Sequence, residues 1–200
     1  MTVPERQETD LQALSEVCSI GMRHAATALS QLMGKPVRID IPRLIALDPA
    51  SLAQSLDARE VTCLHLQILG KVRGSIVILL HEENTRRILQ ILLGKLPAAG
   101  QPLSDLEIST LKEIGNILAS ACLNALGGSL KMSLLPSVPN LERGEASGVL
   151  AQALGHPPAG EAILVVDAMF SIGDTPCSGS IFLIPATASL EAILASLATS

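Results

Sequence analysis

Two stretches of this chain repeat each other 97 positions apart, and that repeat limits the fold more than any other feature. Glu16 aligns with Glu113, Ser19 with Asn116, Ile20 with Ile117, Ala28-Leu29 with Ala125-Leu126, and Pro42 with Pro139. Farther along the register slips, so that Arg73-Gly74-Ser75-Ile76 faces Ser178-Gly179-Ser180-Ile181. The slip places an inserted loop in the second half, near Leu150 to Gly160. A chain that says the same thing twice is expected to build two copies of one unit.

Each half reads in one order. A long helix opens it, over about Asp10 to Met33 and again over about Ser104 to Leu126. Gly34-Lys35-Pro36 and Gly127-Gly128 follow as helix stops. An extended stretch comes next (Val37 to Leu47; Lys131 to Val138). Two β-rich runs then alternate in the strand period: Val61 to Leu69 with Gly74 to Leu80, and Ala162 to Ser171 with Gly179 to Ile184. Gly70-Lys71-Val72-Arg73 and Gly173-Asp174-Thr175-Pro176 read as hairpin connections. A short amphipathic helix closes each half (Glu82 to Leu93; Ala186 to Leu197), and Lys95 to Pro102 links the two. The expected fold is α+β: one domain over residues 1–200, made of two pseudo-repeats of about 9–96 and 102–200, each helix–three strands–helix, with the two long helices packed on the sheet.

Composition narrows the function. Hydrophobic residues make up 48% of the 200, with no Trp or Tyr and two Phe, so the core is aliphatic. Scarce aromatics argue against base stacking, and a net charge of −5 argues against a grip on nucleic-acid phosphates. No run reaches the roughly eighteen apolar residues of a membrane span, and the polar start lacks a signal core. A cytoplasmic protein is expected. Cys18, Cys63, Cys122 and Cys177 lie far apart and read as reduced, buried small hydrophobes. His24, His65, His81 and His156 are scattered, so no metal site is expected in this chain.

The two long helices carry the unusual residues. At about 100° per residue, Leu111, Ile114, Leu118, Cys122 and Ala125 fall on one side of the second helix, and Ser109, Glu113, Asn116 and Ser120 on the other. On the first helix Leu11, Leu14, Cys18, Ala25 and Leu29 oppose Gln12, Glu16, Ser19 and Arg23. Ile20 and Ile117 sit beside the glutamates on the polar side, where a bare isoleucine suits a protein contact. A polar face opposite an apolar stripe is what any surface helix shows; its repetition, with the matched prolines, is what asks for a function. Thr85-Arg86-Arg87 reads as the solvated side of a helix, and Lys71 and Arg73 as hairpin decoration.

Ser109-x3-Glu113-x2-Asn116-x22-Pro139 resembles the signature of the CheC/CheX/FliY family of chemotaxis phosphatases, whose pattern is Asp/Ser-x3-Glu-x2-Asn-x22-Pro. The words around it agree: Glu113-Ile-Gly-Asn-Ile-Leu-Ala-Ser, and Ala25-Ala-Thr-Ala-Leu-Ser-Gln-Leu-Met-Gly-Lys-Pro-Val37 after the first site. With two site helices and no added C-terminal switch domain, the chain looks most like stand-alone CheC. The resemblance implies hydrolysis of the phosphoaspartate on a CheY-like response regulator, in chemotaxis or another two-component system. It implies no cofactor in this chain, since the regulator holds the Mg²⁺. Asn116 is implied to orient the attacking water and Glu113 to pair with the regulator's active-site lysine. Ser109 and Pro139 would support the site; Ile20, Ile117 and Ser120 are candidate regulator contacts. The first site departs from the pattern, keeping Glu16 and Pro42 but replacing the leading Asp/Ser by Gln12 and Asn by Ser19. A hydroxyl cannot span the gap of a planar carboxamide, so the second site is expected to dominate. Ser19 as a nucleophile lacks an evident histidine or acid partner. The alternative is an adaptor that binds CheD, a receptor deamidase, together with the phosphorylated regulator, with the helix near Ala186 to Leu197 as the docking surface.

Overall fold

Leu14, Cys18, Met22, Ala25 and Leu29 recur every third or fourth residue, and the backbone answers with one helix, α1, Glu5–Met33. Gly34 ends it with a positive φ of 62°. The structure is a computed structural model and describes residues 5–47, 59–98, 100–154, 163–173, 175–186 and 189. After α1 come β1 (Val37–Leu47), β2 (Glu60–Gly70), β3 (Gly74–His81) and α2 (Glu82–Leu93). The second half follows with α3 (Asp105–Leu130), β4 (Leu134–Pro136), β5 (Asn140–Glu145), α4 (Ala146–Leu154), β6 (Ile163–Ile172) and β7 (Thr175–Pro185).

The seven strands form one sheet in the order β1-β6-β7-β3-β2-β4, with β5 also on β2, and every pairing is antiparallel. The two hairpins, β2–β3 and β6–β7, meet at β3–β7 in the middle. Each half then gives its first strand to the other half's hairpin: β1 lies on β6, and β4 and β5 lie on β2. Alternation sorts the strand residues onto two faces. Leu64, Leu66, Ile68, Ile76, Ile78 and Leu80 face α1, α2 and α3 and make the main core with Leu14, Leu118 and Leu123. Val61, Cys63, Val77, Leu79 and Phe182 face the other way and pack under α4. Each fully buried leucine of the main core, such as Leu14, Leu64 or Leu123, contributes about 2–5 kcal/mol against truncation to alanine.

The sequence reading holds for a helix-and-antiparallel-sheet fold, for all of the first half's elements and for Cys18, Cys63 and Cys122, which are buried and free. Burial pushes the Cys63 thiol up to about 12, with Glu142 adding to the rise. Four expectations need correction. Gly127-Gly128 does not stop α3; the helix runs on to Leu130 and turns at Lys131, whose φ is 52°. Leu130 is buried, and its burial outweighs the poor helix propensity of two glycines. The extended stretch after α3 is two short strands interrupted at Ser137-Val138-Pro139. The second-half insertion begins as a helix, α4, rather than a loop. Thr85 is buried, on the inner stripe of α2 with Ile88 and Leu89, because sequence neighbours on a helix point 100° apart. Cys177, the side chains of Leu11 and Pro42, and most of the expected closing helix from Ala186 lie outside the described residues.

Candidate functional site

The polar stripe of α3 and the interrupted edge strand face each other across an open groove of about 490 Å³. From α3 come Asp105, Ile108, Ser109, Lys112, Glu113 and Asn116, a set spaced by three and four residues as one helix face requires. From the other side come Pro136, Ser137, Val138 and Pro139. Ser109, Glu113, Asn116 and Pro139, fixed in the sequence by spacing alone, thus share one concavity. Ser109 and Glu113 are exposed, Asn116 is half-buried, and Pro139 is buried. Among the described residues neither histidine nor cysteine lines the groove.

Strand β2 positions both walls. On one side Gly115 of α3 rides directly over Leu64: a Cβ there would stand 3.1 Å from the leucine's Cδ1. The glycine lets the helix sit close to the sheet. On the other side Ser137 is tied to Gln67 twice, its N–H donating to the Gln67 carbonyl at 2.9 Å while its Oγ accepts the Gln67 N–H at 2.9 Å. A side-chain oxygen here stands in for the backbone carbonyl that a regular ladder would use. Proline has no N–H to offer, so the ladder lapses at Pro139 and resumes where Asn140 pairs with His65. The lapse leaves Val138 83% exposed at the groove's rim. The entry of α3 is equally well determined. Ser104 caps it, with the Glu107 carboxylate accepting the Ser104 backbone N–H at 2.7 Å and its hydroxyl at 2.8 Å. These two bonds hold the Glu107 carboxyl below its ordinary value.

The first-half counterpart is laid out alike along α1: Gln12, Glu16 and Arg23 are exposed and Ser19 is half-buried. Pro42 lies in β1 where the register with β6 shifts between Asp40 and Arg43. Both prolines of the repeat therefore fall where a ladder is interrupted. The paired isoleucines differ. Ile20 is 41% exposed, whereas Ile117 is half-buried and packs against the main core, so it is not a bare contact residue as its spacing suggested. Ser120, half-buried one turn past Asn116, stands outside the groove walls. Sequence reasoning missed Asp105, Lys112, Ser137 and Val138. The helical period pointed to Lys112, four residues before Asn116; nothing short of the strand pairing pointed to Ser137.

The two long helices cross at Gly21, where a Cβ would come within 2.9 Å of the Ala121 carbonyl and 3.0 Å of the Cys122 Cα. Beside this crossing a hydrogen bond to Cys122, together with burial, holds the Cys18 thiol well above its ordinary value.

An antiparallel sheet carrying two long helices is a fold also met in known proteins. No family model matches the chain. It is 28% identical over 166 residues to the CheY-P phosphatase CheC of Bacillus subtilis, covering 80% of this chain and 79% of that protein. It is 25% identical over 175 residues to CheC1 of Halobacterium salinarum, covering 88% and 89%. Its fold superposes on the crystal structure of Thermotoga maritima FliY with a TM-score of 0.79, at 17% identity, covering all of this chain and 98% of the other. The chain is thus similar in sequence to two CheC proteins and in fold to FliY and CheX. Among the described residues no helix is long and apolar enough to cross a membrane.

Proposed function

We propose that this protein hydrolyses the phosphoaspartate of a CheY-like response regulator, and that the α3 site carries most of the turnover. The observation that supports this reading most is the meeting of Ser109, Glu113, Asn116 and Pro139 on one open groove. The similarity to a protein named as a CheY-P phosphatase supports it independently.

An acyl phosphate is an activated group, and its hydrolysis needs little more than a water in line with the phosphorus. The water oxygen bonds to phosphorus, the bond from phosphorus to the aspartyl oxygen breaks, and the regulator regains its carboxylate as phosphate leaves. The Asn116 carboxamide holds that water, offering a donor and an acceptor on one plane. Glu113, exposed one turn earlier, meets the regulator's lysine in a charge-assisted hydrogen bond that sets the docking angle. Ser109 flanks the pair, and Pro139 keeps the opposite wall short of a regular ladder. The Mg²⁺ of the reaction travels with the regulator. On α1, Glu16 is kept but Ser19 replaces the carboxamide, so that site docks without positioning a water. The two halves are, on this reading, a duplication whose copies have diverged in catalytic strength.

The test is the decay of a phosphorylated CheY-like regulator. Asn116→Ala is expected to lower the accelerated rate about 100-fold, the usual penalty for a misplaced reactant, and Ser19→Ala to leave it nearly unchanged. Equal losses from both would refute the assignment of turnover to α3.

A further inference from the structure

Among the described residues, Lys112 is the one cation that lines the groove. It is half-buried, and among the described residues it makes no salt bridge and no hydrogen bond. The sequence explains why. A lysine on a helix finds its partners three or four residues away, and those positions hold Ile108, Ser109, Gly115 and Asn116, none of them an acid. Glu113 is adjacent in sequence and points about 100° away around the axis. Asp105 lies seven residues back, about 10 Å along it. Among the described residues the half-buried lysine is thus left without an ion-pair partner, one turn from the carboxamide that the proposed mechanism places beside the reacting phosphorus. Residues i and i+4 on a helix have Cβ atoms about 5–6 Å apart. A water held by Asn116 and a phosphoryl oxygen held by Lys112 are therefore compatible with one phosphoryl group. The repeat adds an independent contrast, since the position equivalent to Lys112 on α1 is Ser15, with no charge.

We infer that Lys112 reads the phosphoryl group: its ammonium takes a phosphoryl oxygen of the aspartyl phosphate and gives the groove its preference for the phosphorylated regulator over the unmodified one. This rests on the proposed function for the identity of the partner, but it concerns discrimination between two states of that partner rather than the chemical step. An aspartyl phosphate concentrates close to two negative charges and three acceptor oxygens on one group, against the single charge of the bare carboxylate, and a compact, freely rotating ammonium recognises such a group as a point charge. Once phosphate has left, the same lysine faces a single carboxylate in place of the more highly charged phosphoryl group, which favours release.

The experiment measures the affinity of the full chain for a CheY-like regulator in two forms, unmodified and carrying beryllofluoride on its aspartate as a phosphoryl mimic. Wild type, Lys112→Gln and Lys112→Arg are compared. Wild type is expected to prefer the beryllofluoride form. Lys112→Gln should weaken that form about tenfold, the scale of one charge-assisted contact, while binding the unmodified form as wild type does; Lys112→Arg should keep the preference. Equal weakening of both forms by Lys112→Gln would show a structural role and overturn the inference, as would an undiminished preference. The two proposals fail separately. A wild-type protein that discriminates the two forms through Lys112 but does not speed phosphate release sinks the phosphatase reading alone, and one that speeds release while Lys112→Gln keeps full discrimination sinks this one alone.

Discussion

Gly127 and Gly128 are neighbours of one type in one helix, yet they do opposite things. At Gly127 a Cβ would stand 2.5 Å from the Met132 carbonyl oxygen, in the tight return that closes when the Met132 N–H donates to the Gly127 carbonyl at 2.8 Å. At Gly128 nothing lies within 4 Å. Gly127→Ala is expected to destabilise by about 1–3 kcal/mol through overpacking, and Gly128→Ala to stabilise by about 0.5–1 kcal/mol by removing a flexible residue from a helix. Urea denaturation midpoints of the two variants check the sign of each. This distinction was invisible in the sequence, where the pair reads as a single stop, because what separates them is a backbone that returns five residues later. The same holds for Ile117, which resembles Ile20 by spacing and differs by what packs against it. Asn116 and Glu113, by contrast, were legible: an amide and an acid on a helical stripe that core packing does not ask for.

At the scale of the element, α3 is a rod whose start, seat and end are each determined by a separate contact. Ser104 and Glu107 secure the start, Gly115 over Leu64 the seat, and the Lys131 turn the end. Since the groove residues that α3 supplies all lie within its first twelve positions, the cap governs how well they are held. Ser104→Ala is expected to cost about 1 kcal/mol at neutral pH. Glu107 has a folded value depressed by its bonds to Ser104, so the unfolded chain takes up its proton first as pH falls. The cap's contribution is therefore present above the ordinary glutamate value and lost as pH drops through the lowered one. Thermal midpoints of wild type and Ser104→Ala, measured from neutral pH downward, should converge in acid; a gap that stayed constant would show that the carboxylate does not take part. The Ser-x-x-Glu spacing of this cap stood in the sequence, as did both long helices and the β2–β3 hairpin, since all are local. The break between β4 and β5 was not legible, because it depends on which strand lies alongside.

At the scale of the whole molecule, the strand order makes the two halves inseparable. Neither half has a complete sheet of its own: β1 needs β6 from the second half, and β2 needs β4 and β5. A fragment of residues 1–96 is expected to show no cooperative unfolding, with the residue 102–200 fragment restoring it on mixing; circular dichroism in urea decides the point. The two helices on the sheet, meeting at Gly21, carry both candidate sites on one layer, so a change in the crossing would be felt at each. The sequence did not announce that β1 would pair with β6, or β2 with β4 and β5, since such an exchange leaves every local pattern intact.

That trade has a consequence for synthesis. A ribosome delivers β2 with its outer edge bare until Asn140–Glu145 has emerged, and β1 waits for Ile163–Ile172. The nascent chain thus spends most of its translation with unsatisfied edges, the state in which stray pairing with other polypeptides is easiest. Native assembly belongs to the last moments of elongation or after release, and slowing translation through the stretch before β6 should lower the yield of folded protein rather than raise it.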